Sequence, residues 1–118
     1  MIENFVKDLP KYKKIDAVYL FGSYLNNFGN LSDIDFCIIG NLGAKEKKEI
    51  LRDSPELFDV SFFEELPNFI RAKIFSRGRL IYLKKGANLD SLKYSTLTEY
   101  RDFMFFMKKR VMEKFKNV

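Results

Sequence analysis

The chain has 118 residues, enough for one layered core and too few for two, so a single domain over residues 1–118 is expected. It contains no histidine, which excludes imidazole-based zinc sites, Ser-His-Asp triads and Cys-His pairs; acid-base and metal chemistry must fall to carboxylates, Lys, Tyr or Cys. The 21 Lys and Arg against 16 Asp and Glu leave a net charge of +5, compatible with a nucleotide, an acidic protein surface or nucleic acid, and equally with a plain solvated basic surface.

A single cysteine, Cys37, lies inside an apolar run. It excludes an internal disulfide framework, fits a reducing compartment and reads most simply as core filler. No apolar run approaches the length of a membrane span, and the opening MIENFVKDLP lacks a basic stretch followed by an apolar signal segment. The expected location is cytoplasmic.

Taken in order, Ile2, Phe5, Val6 and Leu9 recur at helical spacing up to Pro10, which predicts a short amphipathic helix covering a sheet. Ile15 to Phe21 reads as a strand that ends at Gly22-Ser23, and Ser23 is placed to cap a short helix. A polar loop containing Asn26, Asn27, Gly29 and Asn30 follows, then a second strand from Asp33 to Ile39. On that strand Asp33, Asp35, Cys37 and Ile39 share one face and Ile34, Phe36 and Ile38 the other, so the acids stand at its entrance. Ala44 to Arg52 predicts a helix with Ile50 and Leu51 inward, broken by Pro55. LFDVSFF, Leu57 to Phe63, alternates imperfectly as a third strand and carries Asp59 among apolar neighbours. A helix from Asn68 to Phe75 ends at Arg77-Gly78, and Leu80 to Leu83 is a fourth strand. Ser91 to Lys116 is a long final helix with Leu97, Tyr100, Met104, Met107, Val111 and Phe115 along one stripe, expected to face the core.

Three features ask for a common chemistry: the Gly22-Ser23 turn, the Asp33-x-Asp35 pair and Asp59 on another strand. Alternating strand geometry sets the paired carboxylates on one face about 7 Å apart, close enough to share divalent cations. Taken alone, a Gly-Ser is most often an ordinary turn, and Asp59 is an ordinary acid paired with Arg71 or Lys73. Together they suit phosphoryl or nucleotidyl transfer. Two carboxylate-held Mg²⁺ ions would neutralise the attacking oxygen and the leaving pyrophosphate, Gly22 and Ser23 would receive a phosphate, and Asp59 would complete a metal's ligands and take the proton of an attacking hydroxyl.

Gly22-Ser23, nine intervening residues and Asp33-x-Asp35 resemble the signature of the polymerase beta superfamily of nucleotidyltransferases. The compact length, the third acid Asp59 and SRGRLIYLK before a long helix are similar to its small members, the minimal nucleotidyltransferases of the MntA type. The resemblance implies an α/β (α+β) fold, a mixed sheet of about four strands flanked by helices. It also implies two Mg²⁺ held by Asp33, Asp35 and Asp59, with the ATP triphosphate on Gly22 and Ser23. The implied partner is an all-helical HEPN ribonuclease toxin that such antitoxins silence by transferring AMP to a tyrosine. The chain departs from that pattern at Leu25-Asn26-Asn27, where members often carry Ala-Arg-Gly; no basic residue lies between Ser23 and Asp33, and Arg52, Arg71 or Lys73 would have to substitute.

Phe103, Phe105 and Phe106 cannot all join one helix stripe, so at least one ring beside Lys108, Lys109 and Arg110 should offer a protein-binding surface, with a broad buried face or a homodimer the alternative. Nucleic-acid binding by this basic aromatic helix is the weaker reading. Two other functions fit the same residues: a degenerate nucleotidyltransferase fold that neutralises its partner by complex formation, and a subunit modifying aminoglycoside-like small molecules.

Overall fold

A computed structural model describes residues 2–22 and 34–116. Four strands, β1 (Ile15–Phe21), β2 (Ile34–Gly40), β3 (Phe58–Phe62) and β4 (Arg79–Leu83), form one sheet in the order β3-β2-β1-β4. β1 pairs antiparallel with both β2 and β4, while β2 and β3 run parallel. The sheet is therefore mixed, as expected. The parallel pair requires a crossover, which α2 (Ala44–Asp53) supplies; α1 (Ile2–Asp8), α3 (Asn68–Arg77) and α4 (Asp90–Lys116) complete the element set.

Both sheet faces are covered, which explains why β1 and β2 read as nearly continuous apolar runs. Ile34, Phe36 and Ile38 of β2 and Phe58, Val60 and Phe62 of β3 face one layer, where Phe5, Leu9 and Ile50 from the α1 and α2 side meet them. Phe36 anchors this layer, its ring centroid 5.0 Å from that of Phe5 and 4.8 Å from that of Phe58. Tyr19, Cys37 and Ile39 face the other layer with Ile74 and Phe75 of α3, and Leu92 and Leu97 of α4 pack against its margin. Gly40 closes the β1–β2 pair: a methyl group there would meet Lys14 O and lie 2.9 Å from Ile15 Cα.

The elements fall where periodicity put them, with three corrections. The third strand occupies only Phe58–Phe62; Leu57 precedes it and Phe63 opens a 3-10 turn, so the imperfect alternation of LFDVSFF is a regular five-residue strand with apolar flanks. Leu51 points outward, 48% exposed, and Ile50 alone buries on α2. The largest departure is α4. Leu97 packs on the core and Tyr100 is half-buried, but Met104, Met107, Val111 and Phe115 are exposed, so the expected core stripe ends after its second member. All residues from 101 to 116 are exposed, and Phe103, Phe105 and Phe106 all stand clear of the core, which meets the expectation that at least one would. The apolar residues of this half go round the helix, and the radius of gyration of 16.9 Å exceeds the roughly 13–14 Å of a compact chain this long. No described helix is long and apolar enough to cross a membrane.

Candidate active site

The ends of β1, β2 and β3 meet at one rim of the sheet. Phe21, the last residue of β1, pairs with Asp35, the second residue of β2, and Asp35 is in turn the register partner of Asp59 in β3. Alternation fixes which way these acids face. Cys37 and Ile39, two and four residues beyond Asp35, lie in the α3 layer, so Asp35 belongs to that face; Phe58, Val60 and Phe62 lie in the opposite layer, so Asp59, which alternates with them, shares the face of Asp35. The two carboxylates thus stand side by side on neighbouring parallel strands, whose backbones are about 4.8 Å apart.

Gly22 fixes the third side. Its φ is +87°, in the region that L side chains avoid, and a methyl group on it would collide with Asp35 Oδ2 and sit 3.0 Å from Cγ. The backbone at Gly22 therefore lies against the Asp35 carboxyl group in a way only glycine permits. Asp35 is half-buried and Asp59 exposed. Asp59 is not the acid among apolar neighbours that its sequence context suggested, and no ion pair within 4.0 Å joins it to a described residue.

Like charges side by side on one sheet face repel, and an oxygen-only donor set at an open rim suits a hard divalent cation such as Mg²⁺. Among the described residues no group of three metal-binding side chains assembles. Asp33, which would extend the pair, lies outside the described residues, as does Ser23.

The basic substitutes weighed from sequence do not come to this rim equally. Arg52 pairs with Asp53, Nε to Oδ1 3.0 Å, on the α2 side of the sheet. Arg71 donates from Nε to Phe63 O at 2.9 Å and from Nη2 to Glu64 O at 2.6 Å, with its guanidinium 5.1 Å from the Phe63 ring centroid. It is a brace between α3 and the turn after β3, not a partner of Asp59. Lys73 on α3 is exposed.

Beneath the acids Cys37 is fully buried and burial pushes its thiol up to about 12, with the Arg71 charge opposing slightly. It is core filler, as composition suggested. Tyr19 beside it is also raised by burial, its ring edge-on to Phe75 at 5.5 Å.

The family model "Polymerase beta, Nucleotidyltransferase" matches residues 3–87, which contain the whole sheet and the acid pair. MJ1547 of Methanocaldococcus jannaschii, named provisionally as a protein adenylyltransferase, is 31% identical over 101 residues, covering 85% of this chain and 78% of that one. A chain in the crystal structure of a toxin-antitoxin with AMP-PNP superposes with a TM-score of 0.70 at 19% identity, covering 98% of this chain and 99% of that one. A chain in the complex of tri-AMPylated Shewanella oneidensis HEPN toxin with MNT antitoxin gives 0.63 at 18% identity, covering 98% and 99%. At those identities the two structural likenesses speak for the fold alone. The match of the family model over most of the chain, the curated relative and the acid-bearing rim agree, and the chain belongs to the polymerase beta family of nucleotidyltransferases.

Proposed function

We propose that this nucleotidyltransferase moves AMP from ATP to a tyrosine hydroxyl of a HEPN-type helical partner, using Asp33, Asp35 and Asp59 with Gly22 and Ser23. The observation that carries the reading is the register of Asp35 with Asp59 beside the Gly22 turn, which sets two carboxylates against a backbone able to approach a phosphate closely. The adenylyltransferase naming of MJ1547, and the AMP-PNP and AMPylated HEPN toxin in the structures of similar fold, support the nucleotide and the partner class.

Asp59 accepts the proton as the tyrosine oxygen attacks the α-phosphorus of ATP; the bond to the β-phosphate oxygen breaks and pyrophosphate leaves. Exposure suits Asp59 to this role, because an acceptor hydroxyl on another protein must reach it from solvent. Gly22 and Ser23 hold the triphosphate through backbone and hydroxyl donors, and the half-buried Asp35 is kept in place by the Gly22 turn against it. Mg²⁺ ions on Asp33, Asp35 and Asp59 would supply neutralisation of the charge on the phosphoryl oxygens and the leaving group.

The partner docks on the second half of α4, whose Phe105 is 73% exposed amid Lys108, Lys109 and Arg110. Incubation with labelled ATP, Mg²⁺ and the product of the neighbouring gene tests the reading. Label should appear on the partner and vanish with Asp35→Asn. The exposed helix also favours a second reading, neutralisation by occlusion alone; it predicts that Asp35→Asn still neutralises while Phe105→Glu with Phe106→Glu does not.

A further inference from the structure

A triphosphate beside two carboxylates is held more tightly where a cationic side chain also faces its oxygens, and residues 24–32 contain none. We infer that Arg77, the last residue of α3, is a triphosphate-binding residue of the site, an inference that rests on the nucleotidyl-transfer reading above. The argument is one of position and of elimination.

α3 covers the same sheet face as Asp35 and Asp59, since Ile74 and Phe75 pack with Cys37 and Tyr19. The helix ends at the catalytic rim. Gly78, which caps it, lies against Tyr19, where an added methyl would be 3.2 Å from Cδ1, and donates its N–H to Ile74 O at 2.7 Å. The next residue, Arg79, pairs with Leu20, the neighbour of Phe21, which in turn pairs with Asp35. Arg77 is thus held at the end of the sheet where Gly22 turns. It is exposed, and neither an ion pair nor a hydrogen bond ties its guanidinium to another described residue.

Six other cations of the sheet and its covering helices are committed or misplaced. Lys47 pairs with Glu64 and Glu65, and Lys84 is 3.2 Å from Asp16 Oδ1 at the far end of the sheet. Arg52 and Arg71 are engaged as described above. Arg79 is the register partner of Leu20, which belongs to the opposite core layer, so it faces away from Asp35. Lys73 shares the exposed side of α3 with Arg77 but starts one turn, about 6 Å, farther from the rim. A planar guanidinium is also the better match to phosphate oxygens, which it can engage in pairs.

The test is ATP affinity, measured by calorimetry on the full chain with Mg²⁺ present, with inorganic triphosphate as a second probe. Arg77→Gln should weaken both ligands by about tenfold or more, Arg77→Lys should recover part of the loss, and Arg52→Gln should bind as wild type. Equal weakening of ATP and inorganic triphosphate identifies the phosphates as what Arg77 reads. Wild-type affinity in Arg77→Gln overturns the inference, as does a wild-type chain that binds neither ligand. Arg77-dependent binding without AMP transfer to any partner upholds it and contradicts the transfer reading instead.

Discussion

Replacing Gly22 by alanine asks an L side chain to hold a φ of +87° and to occupy space filled by the Asp35 carboxyl group. The backbone term costs about 1–2 kcal/mol. Relief of the collision must come from moving Asp35, so Gly22→Ala should lower the unfolding free energy by that amount and reduce nucleotidyl transfer far more, read by chemical denaturation and by a transfer assay on the same sample. Asp59→Asn separates the two properties in the opposite direction. Removing one of two adjacent like charges should leave the metal-free thermal midpoint unchanged or slightly higher, yet transfer should fall by about 10²–10⁴-fold, the usual contribution of a positioned proton acceptor. A midpoint that drops sharply would show Asp59 to be a structural acid.

The elements explain which of these residues were readable from the chain. β1 spans Ile15–Phe21 in the structure as its composition predicted, and the period-2 split of β2 into an Asp35 face and a Phe36 face is reproduced in the two core layers. Such patterns are legible because a strand's two faces differ in what they touch. The register of Asp35 with Asp59 is not legible in that way, since strand pairing is set by the sum of core contacts and not by the two acids themselves. Arg77 escaped notice for the same reason: its place follows from where α3 stops relative to β1, a relation of tertiary structure. α4 misled for a different reason. An apolar stripe marks a face that some surface will cover, and periodicity cannot say whether that surface is in the same chain. From residue 101 onward this chain does not cover it. Phe105→Glu with Phe106→Glu should therefore leave the thermal midpoint of the isolated protein unchanged while abolishing co-elution with the proposed helical partner on size exclusion.

At the scale of the whole molecule, the layered part carries the stability and the second half of α4 carries little of it. Phe36 has no exposed surface and touches rings from α1 and β3, so Phe36→Ala should cost about 3–5 kcal/mol, measurable by denaturant unfolding. The buried Cys37 gives the fold an alkaline limit. Its thiol holds its proton to about 12 in the folded chain and near 9 when unfolded, so stability is fully present below pH 9 and is lost as pH rises toward 12. Cys37→Ala should flatten that alkaline slope, with the raised Tyr19 leaving a residual decline.

The rim formed by Gly22, Asp35 and Asp59 is the centre of the chemistry proposed for this protein, and transfer of label from α-phosphate-labelled ATP to the helical partner tests it most directly. Wild-type protein with Mg²⁺ should label a partner tyrosine, and the variants Asp35→Asn and Asp59→Asn should not. Label that still reaches the partner from the doubly substituted protein would contradict the assignment of these two carboxylates to catalysis.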